Sequence, residues 1–138
     1  MKLISKILLI LLIGTSSLLA DFKSITTNEM QTAIKNGIAI IDIRRVDEYK
    51  EFGVIQNSYQ LTFFDGQGNY DIQKWLKKFT KIVTSKDQPF ILVCAHANRT
   101  KVVAQFLDKK LKYKHVQDLQ GGIIYGWIDK GKKTISYK

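Results

Sequence analysis

The chain has 138 residues and a formal charge of +10, from 22 basic and 12 acidic side chains, with one proline and one cysteine. A single cysteine excludes an intramolecular disulfide framework and, with no C-x-x-C pair, a dithiol–disulfide oxidoreductase. No spacing of His, Cys, Asp and Glu side chains suggests a metal site, and no glycine-rich phosphate loop follows a strand pattern.

Residues 1–20 read as a secretory signal peptide. Lys2 and Lys6 form a basic start, Ile7 to Ile13 an unbroken apolar run, and Gly14 to Ala20 a small-residue stretch with a cut before Asp21. The run is too short for a comfortable membrane span. No cysteine lies near the cut, so lipoprotein processing is not expected; an uncleaved anchor is the alternative. The reading implies a periplasmic or otherwise exported protein with no stable membrane span after cleavage. Loss of Lys2 and Lys6 lowers the formal charge to +8. That excess reads as a solvated lysine-rich surface, and an exported location argues against nucleic acid as a partner. The remaining residues 21–138 suit one domain with one core, and no repeat or proline-rich linker divides them.

Thr26-Thr27-Asn28-Glu29 predicts a capping box opening a helix, with Met30, Ala33 and Ile34 on one face and Gly37 at its end. Ile38 to Asp42 is a continuous apolar run, the pattern of a strand buried on both faces. Arg45 to Phe52 reads as a short helix ended by Gly53, Tyr59 to Phe63 as a strand, and Asp65 to Asn69 as a loop. From Ile72 the apolar residues Trp75, Leu76, Phe79, Ile82 and Val83 recur at helical spacing. Phe90 to Val93 reads as a strand. Val102, Val103, Phe106, Leu107 and Leu111 form a second helical stripe. Val116 to Leu119 reads as a strand, and Gly121-Gly122 turns into a last helix around Trp127. Strands alternating with helices imply an α/β fold, a parallel sheet with helices on both faces. Ligands in such folds sit at the carboxyl ends of the strands, where Asp42 and Cys94 fall.

Cys94 carries the chemistry in this reading. It ends an apolar strand and is followed by Ala95-His96-Ala97-Asn98-Arg99-Thr100, a small polar loop entering a helix. Successive loop N–H groups and a helix N-terminus favour a bound anion or thiolate. A lone thiol so placed in an exported chain reads as a nucleophile rather than a packing residue. Arg99, as an always-charged fork beside it, suits an anionic donor, and as an exposed residue it is expected to add little to stability. His96 is open between substrate contact, proton handling and a solvent-facing filler. His115 reads as surface, and Phe63 and Phe64 as core or an apolar mouth over Cys94.

Three motifs in order resemble the single-domain rhodanese (sulfurtransferase) family, from about Phe22 to Gly131. They are Asp42-Ile43-Arg44 with Glu48-Tyr49, Gly53-Val54-Ile55 and Ser58; Cys94 to Thr100; and Leu119-Gln120-Gly121-Gly122 with Trp127. The four residues between Cys94 and Arg99 match the sulfurtransferase loop, whereas tyrosine phosphatases have five. Ala97 replaces the usual loop glycine, Val54 a frequent histidine, and Gln56-Asn57 a frequent Pro-Gly. The resemblance implies a central parallel five-stranded sheet over residues 21–138. It implies catalysis by Cys94 and Arg99, substrate contacts at Ala95, His96, Ala97, Asn98 and Thr100, and support from Asp42, Arg44 and Glu48. Arg44 and Glu48 would tie the strand end to the helix. The implied reaction moves a sulfane sulfur from a small anionic donor such as thiosulfate to a thiol or cyanide acceptor through a Cys94 persulfide, without cofactor or metal. The alternative is a low-turnover sulfur-carrier or partner-binding module.

Overall fold

A computed structural model describes residues 22–138, and the expected signal peptide over 1–20 lies outside them. Five parallel strands, β1 (Lys23–Ile25), β2 (Ala39–Asp42), β3 (Tyr59–Gln60), β4 (Phe90–Val93) and β5 (Val116–Leu119), form one sheet in the order β1-β5-β4-β2-β3. Five helices surround it: α1 (Thr27–Lys35), α2 (Val46–Phe52), α3 (Ile72–Ile82), α4 (Asn98–Gln105) and α5 (Gly122–Gly126). No helix among the described residues is long and apolar enough to cross a membrane.

The central strand β4 is buried along its whole length and sorts its side chains by strand alternation. Phe90 and Leu92 join Trp75, Phe79, Val103 and Leu107 on the face covered by α3 and α4. Ile91 and Val93 join Met30, Leu119, Ile123 and Trp127 on the opposite face. Burial on both faces is why the strand is apolar at every position. The capping box forms as expected: the Thr26 hydroxyl accepts from the Glu29 N–H at 3.2 Å, and the Glu29 carboxylate accepts from the Thr26 N–H.

Four elements differ from the sequence reading. β1 carries no pattern to find, because only Ile25 of its three residues is buried and it pairs with β5 alone. The expected strand Tyr59 to Phe63 keeps its ladder only over Tyr59–Gln60. Beyond it Leu61 N–H bonds to the Asp42 carbonyl at 2.8 Å and Phe63 N–H to the Ile43 carbonyl at 3.2 Å, two residues advancing against one. That bulge-like slip breaks regular pairing while keeping the backbone satisfied. The last helix stops at Gly126, so Trp127 caps it rather than sitting within it, its indole N–H donating to the Lys133 carbonyl. The stripe from Val102 to Leu111 is also two segments, α4 continuing as a π-helical turn over Phe106–Lys110.

Candidate active site

Cys94 stands at the carboxyl end of β4, between the ends of its neighbours β2 and β5, and is 1% exposed. Its loop is fixed by α5. The Ile123 N–H bonds to the Cys94 carbonyl at 2.8 Å and the Ile124 N–H to the Ala95 carbonyl at 3.0 Å. This close approach explains Gly122, whose φ is +67° and where any Cβ would collide with the carbonyls of Ala95 and Cys94. Ala97, the N-cap of α4, takes φ +63° and ψ 17°, so the alanine occupies the left-handed conformation usually left to glycine.

The helix start meets the sulfur through Thr100. Its N–H donates to Sγ at 3.4 Å, and its hydroxyl lies 3.6 Å from Sγ. Thr100 is fully buried and Ala95 and Ala97 are largely buried, while His96 and Asn98 are exposed. The expected contact set therefore divides: His96 and Asn98 face solvent, and Thr100 packs against the sulfur itself. The His96 ring lies 4.7 Å from the Tyr125 ring on α5.

Arg99 is not the exposed arginine expected. Its guanidinium forms a two-pronged pair with Glu48, Nη1 to Oε2 at 2.8 Å and Nη2 to Oε1 at 2.6 Å, the two side chains 23% and 12% exposed. Glu48 also accepts from the Arg45 N–H at 2.9 Å and so caps α2. Burial alone would raise the Glu48 pKa, but the Arg99 hydrogen bonds, the Arg45 N–H and the two arginine charges outweigh it and hold it below the usual 4.5. The Glu48 hydrogen bond, with smaller contributions from the Glu48, Cys94 and Asp42 charges, raises the Arg99 pKa against the opposing effect of burial.

Glu48 thus joins α2 to α4, and the expected tie of Glu48 to the strand end is corrected. Arg44 makes that tie with Asp42 instead, because the chain turns back within two residues of the strand end. Its Nε and Nη2 reach the Asp42 carboxylate at 3.0 and 2.7 Å, and Nη2 donates to the Gly53 carbonyl at 2.8 Å. Both side chains are fully buried, and the Tyr49 hydroxyl donates to the Asp42 carbonyl at 2.8 Å. Burial pushes the Tyr49 hydroxyl well above its ordinary pKa.

Phe63 packs in the core with Cys94, and its ring stacks at 5.3 Å on the Tyr70 ring. A cavity of about 560 Å³ opens beside Phe63, Tyr70 and Trp75, and Cys94 does not line it. Among the described residues no group of three or more His, Cys, Asp or Glu side chains could hold a metal ion. Asp118, fully buried, accepts from the Thr100 hydroxyl at 2.8 Å. Sequence reading passed over it, although a carboxylate inside the short strand Val116–Leu119 was the signal available.

The rhodanese-like domain family matches residues 26–130. The chain belongs to the rhodanese-like domain family. This rhodanese-like domain is similar in fold to a thiosulfate sulfurtransferase from Pseudomonas aeruginosa, at TM-score 0.66 and 21% identity over 85% of this chain and 21% of that one. It is similar to the polysulfide-sulfur transferase homodimer from Wolinella succinogenes, at TM-score 0.65 and 19% identity over 86% and 82% of the two chains. It is also similar to a protein of unknown function from Rhodopseudomonas palustris described as a possible tyrosine phosphatase, at TM-score 0.61 and 24% identity over 83% and 85%. At these identities the likeness concerns the fold. No curated protein matches the chain.

Proposed function

We propose that the protein is an exported sulfurtransferase that carries a sulfane sulfur on Cys94. Membership of the rhodanese-like family supports a sulfur-transfer role, and one observation carries the reading to this chain. Cys94 ends the central strand with the α4 helix start on its sulfur: the Thr100 N–H is 3.4 Å from Sγ, and Arg99 follows four loop residues later. Those features stabilise a sulfur anion, as thiolate or persulfide.

In the first half-reaction Cys94 attacks the outer sulfur of a small anionic donor such as thiosulfate. The new S–S bond forms as the donor's S–S bond breaks, its electron pair leaving on sulfite. In the second, cyanide or a thiol takes the outer sulfur, and the electron pair returns to Cys94. The sulfur moves without a cofactor, in two half-reactions that call for ping-pong kinetics. Steady-state rates of thiocyanate formation at several thiosulfate and cyanide concentrations test this, with parallel double-reciprocal lines expected. Intersecting lines, which require both substrates bound together, would contradict it.

A second reading is a low-turnover sulfur carrier or partner-binding module. The Glu48 clamp on Arg99 favours it, because a guanidinium held at 2.6 and 2.8 Å has less to offer an incoming donor. Uptake of sulfur from thiosulfate without turnover to thiocyanate would select this reading.

A further inference from the structure

Asp118 lies within hydrogen-bond reach of the sulfur's own partner, yet the sulfur chemistry above gives it no task. It sits at the third position of β5, and both its oxygens are engaged. Oδ1 accepts from the Ser24 hydroxyl on β1, and Oδ2 accepts from the Thr100 hydroxyl at 2.8 Å, with the Lys101 ammonium 3.8 Å from Oδ2. A threonine hydroxyl has one proton to donate. Here it goes to Asp118, so the Thr100 oxygen turns a lone pair toward Cys94, whose Sγ stands 3.6 Å away as the donor. The chain of hydrogen bonds runs from S–H through O–H to carboxylate.

That order suits a thiol. A sulfur anion would need the hydroxyl reversed, which takes a donor from Asp118. It would also set two negative charges on either side of one buried hydroxyl. We infer that Asp118, acting through the Thr100 hydroxyl, is a positioning residue that holds resting Cys94 as a thiol and takes up its proton when the sulfur becomes an anion. The S–H bond breaks as an O–H bond forms on Thr100, whose own proton passes to Asp118. One negative charge moves from carboxylate to sulfur, and none is added to the interior. The reverse transfer restores the thiol after an acceptor has removed the outer sulfur. The inference rests on Cys94 being the reacting group.

Other charged and titratable groups around Cys94 are Arg99 on α4 with Glu48 of α2 behind it, His96 in the loop, and the Asp42–Arg44 pair at the end of β2 beside Val93. Lys101 faces Asp118, and its ammonium also donates to the Ala97 carbonyl at 3.2 Å. None of these contacts the Thr100 hydroxyl, so its direction depends on Asp118.

The pH profile of Cys94 alkylation by iodoacetamide tests the inference without any sulfur donor. Its outcome is therefore separate from the sulfur-transfer reading, which thiosulfate uptake decides. Asp118→Asn keeps the shape, removes the charge and lets an amide N–H donate to Thr100, freeing the hydroxyl to turn toward sulfur. The midpoint should move to lower pH by about one unit, giving about tenfold faster alkylation below both midpoints. Ser24→Ala, on the exposed edge strand, removes a donor from Asp118 and should move the midpoint the other way. It keeps the test decisive if Asp118→Asn does not fold. A carboxylate that only ties β5 to β1 and α4 would change the melting temperature and leave both midpoints in place. Folded variants with the wild-type profile would overturn the inference.

Discussion

Arg99→Ala should destabilise the protein, and the structure sets the size of the effect. The substitution removes two charge-assisted hydrogen bonds, of 2.8 and 2.6 Å, and leaves Glu48 with the Arg45 N–H and a guanidinium at 3.8 Å. Exposed ion pairs contribute about 0–1 kcal/mol, whereas breaking a fully buried pair costs about 3–5 kcal/mol. With side chains 23% and 12% exposed, this pair falls between those limits, at about 2 kcal/mol. For a domain of this size that lowers Tm by about 6–10 °C. Glu48→Gln is the partner variant, because the amide oxygen can still accept from the Arg45 N–H while the charge is lost. Urea unfolding of the wild type, Arg99→Ala, Glu48→Gln and the double variant at pH 7 and low salt gives the coupling. The expected value is about 1–2 kcal/mol, and additivity within about 0.3 kcal/mol would refute the clamp.

Glu48→Gln should also release Arg99 toward an anionic donor and so speed persulfide formation from thiosulfate. A slower reaction would show that the clamp positions Arg99 for the donor. Because Glu48 titrates below 4.5 in the folded protein, its contribution is fully present above that value and lost as pH falls through the folded value. The stability gap between wild type and Glu48→Gln, followed by urea unfolding, should therefore close below about pH 4.5; a gap that widens with acid would contradict the assignment. Ala97→Gly relieves a left-handed alanine, worth about 1–2 kcal/mol, against an unfolded-state entropy term of about 0.5–1 kcal/mol. Its Tm should rise by about 1–3 °C, and a fall would mean that the buried Ala97 methyl packs better than its backbone suffers. Gly122→Ala places a methyl on the Ala95 and Cys94 carbonyls at positive φ and should cost about 3 kcal/mol or more; a normal melting curve would show that the loop can move off α5.

The parts of this protein that follow from short-range rules were legible in the sequence. Thr26 and Glu29 announce the start of α1, and Trp75 to Val83 the buried face of α3. The run Phe90 to Val93 announces a strand buried on both sides. Cys94, Arg99 and the Gly121-Gly122 pair were visible because each sits at a junction of elements with few permitted residues. What could not be read depends on residues distant in sequence. Glu48 and Arg99 are 51 positions apart, and Ser24 and Asp118 are 94. No periodicity reports such pairs. β1 is too short and too exposed to leave a pattern, and it becomes a strand because β5 offers it an edge. The shortening at Gln60 reflects how the backbone slips against Asp42 and Ile43, which side-chain pattern does not encode.

The most direct test of the central claim is the intact mass of the protein after incubation with thiosulfate and removal of the excess. Cys94 is the sole thiol, so the wild type should gain one sulfur atom, lost again on treatment with cyanide, and Cys94→Ser should gain none. A folded wild-type protein whose mass does not change, or a Cys94→Ser protein that gains sulfur, would contradict it.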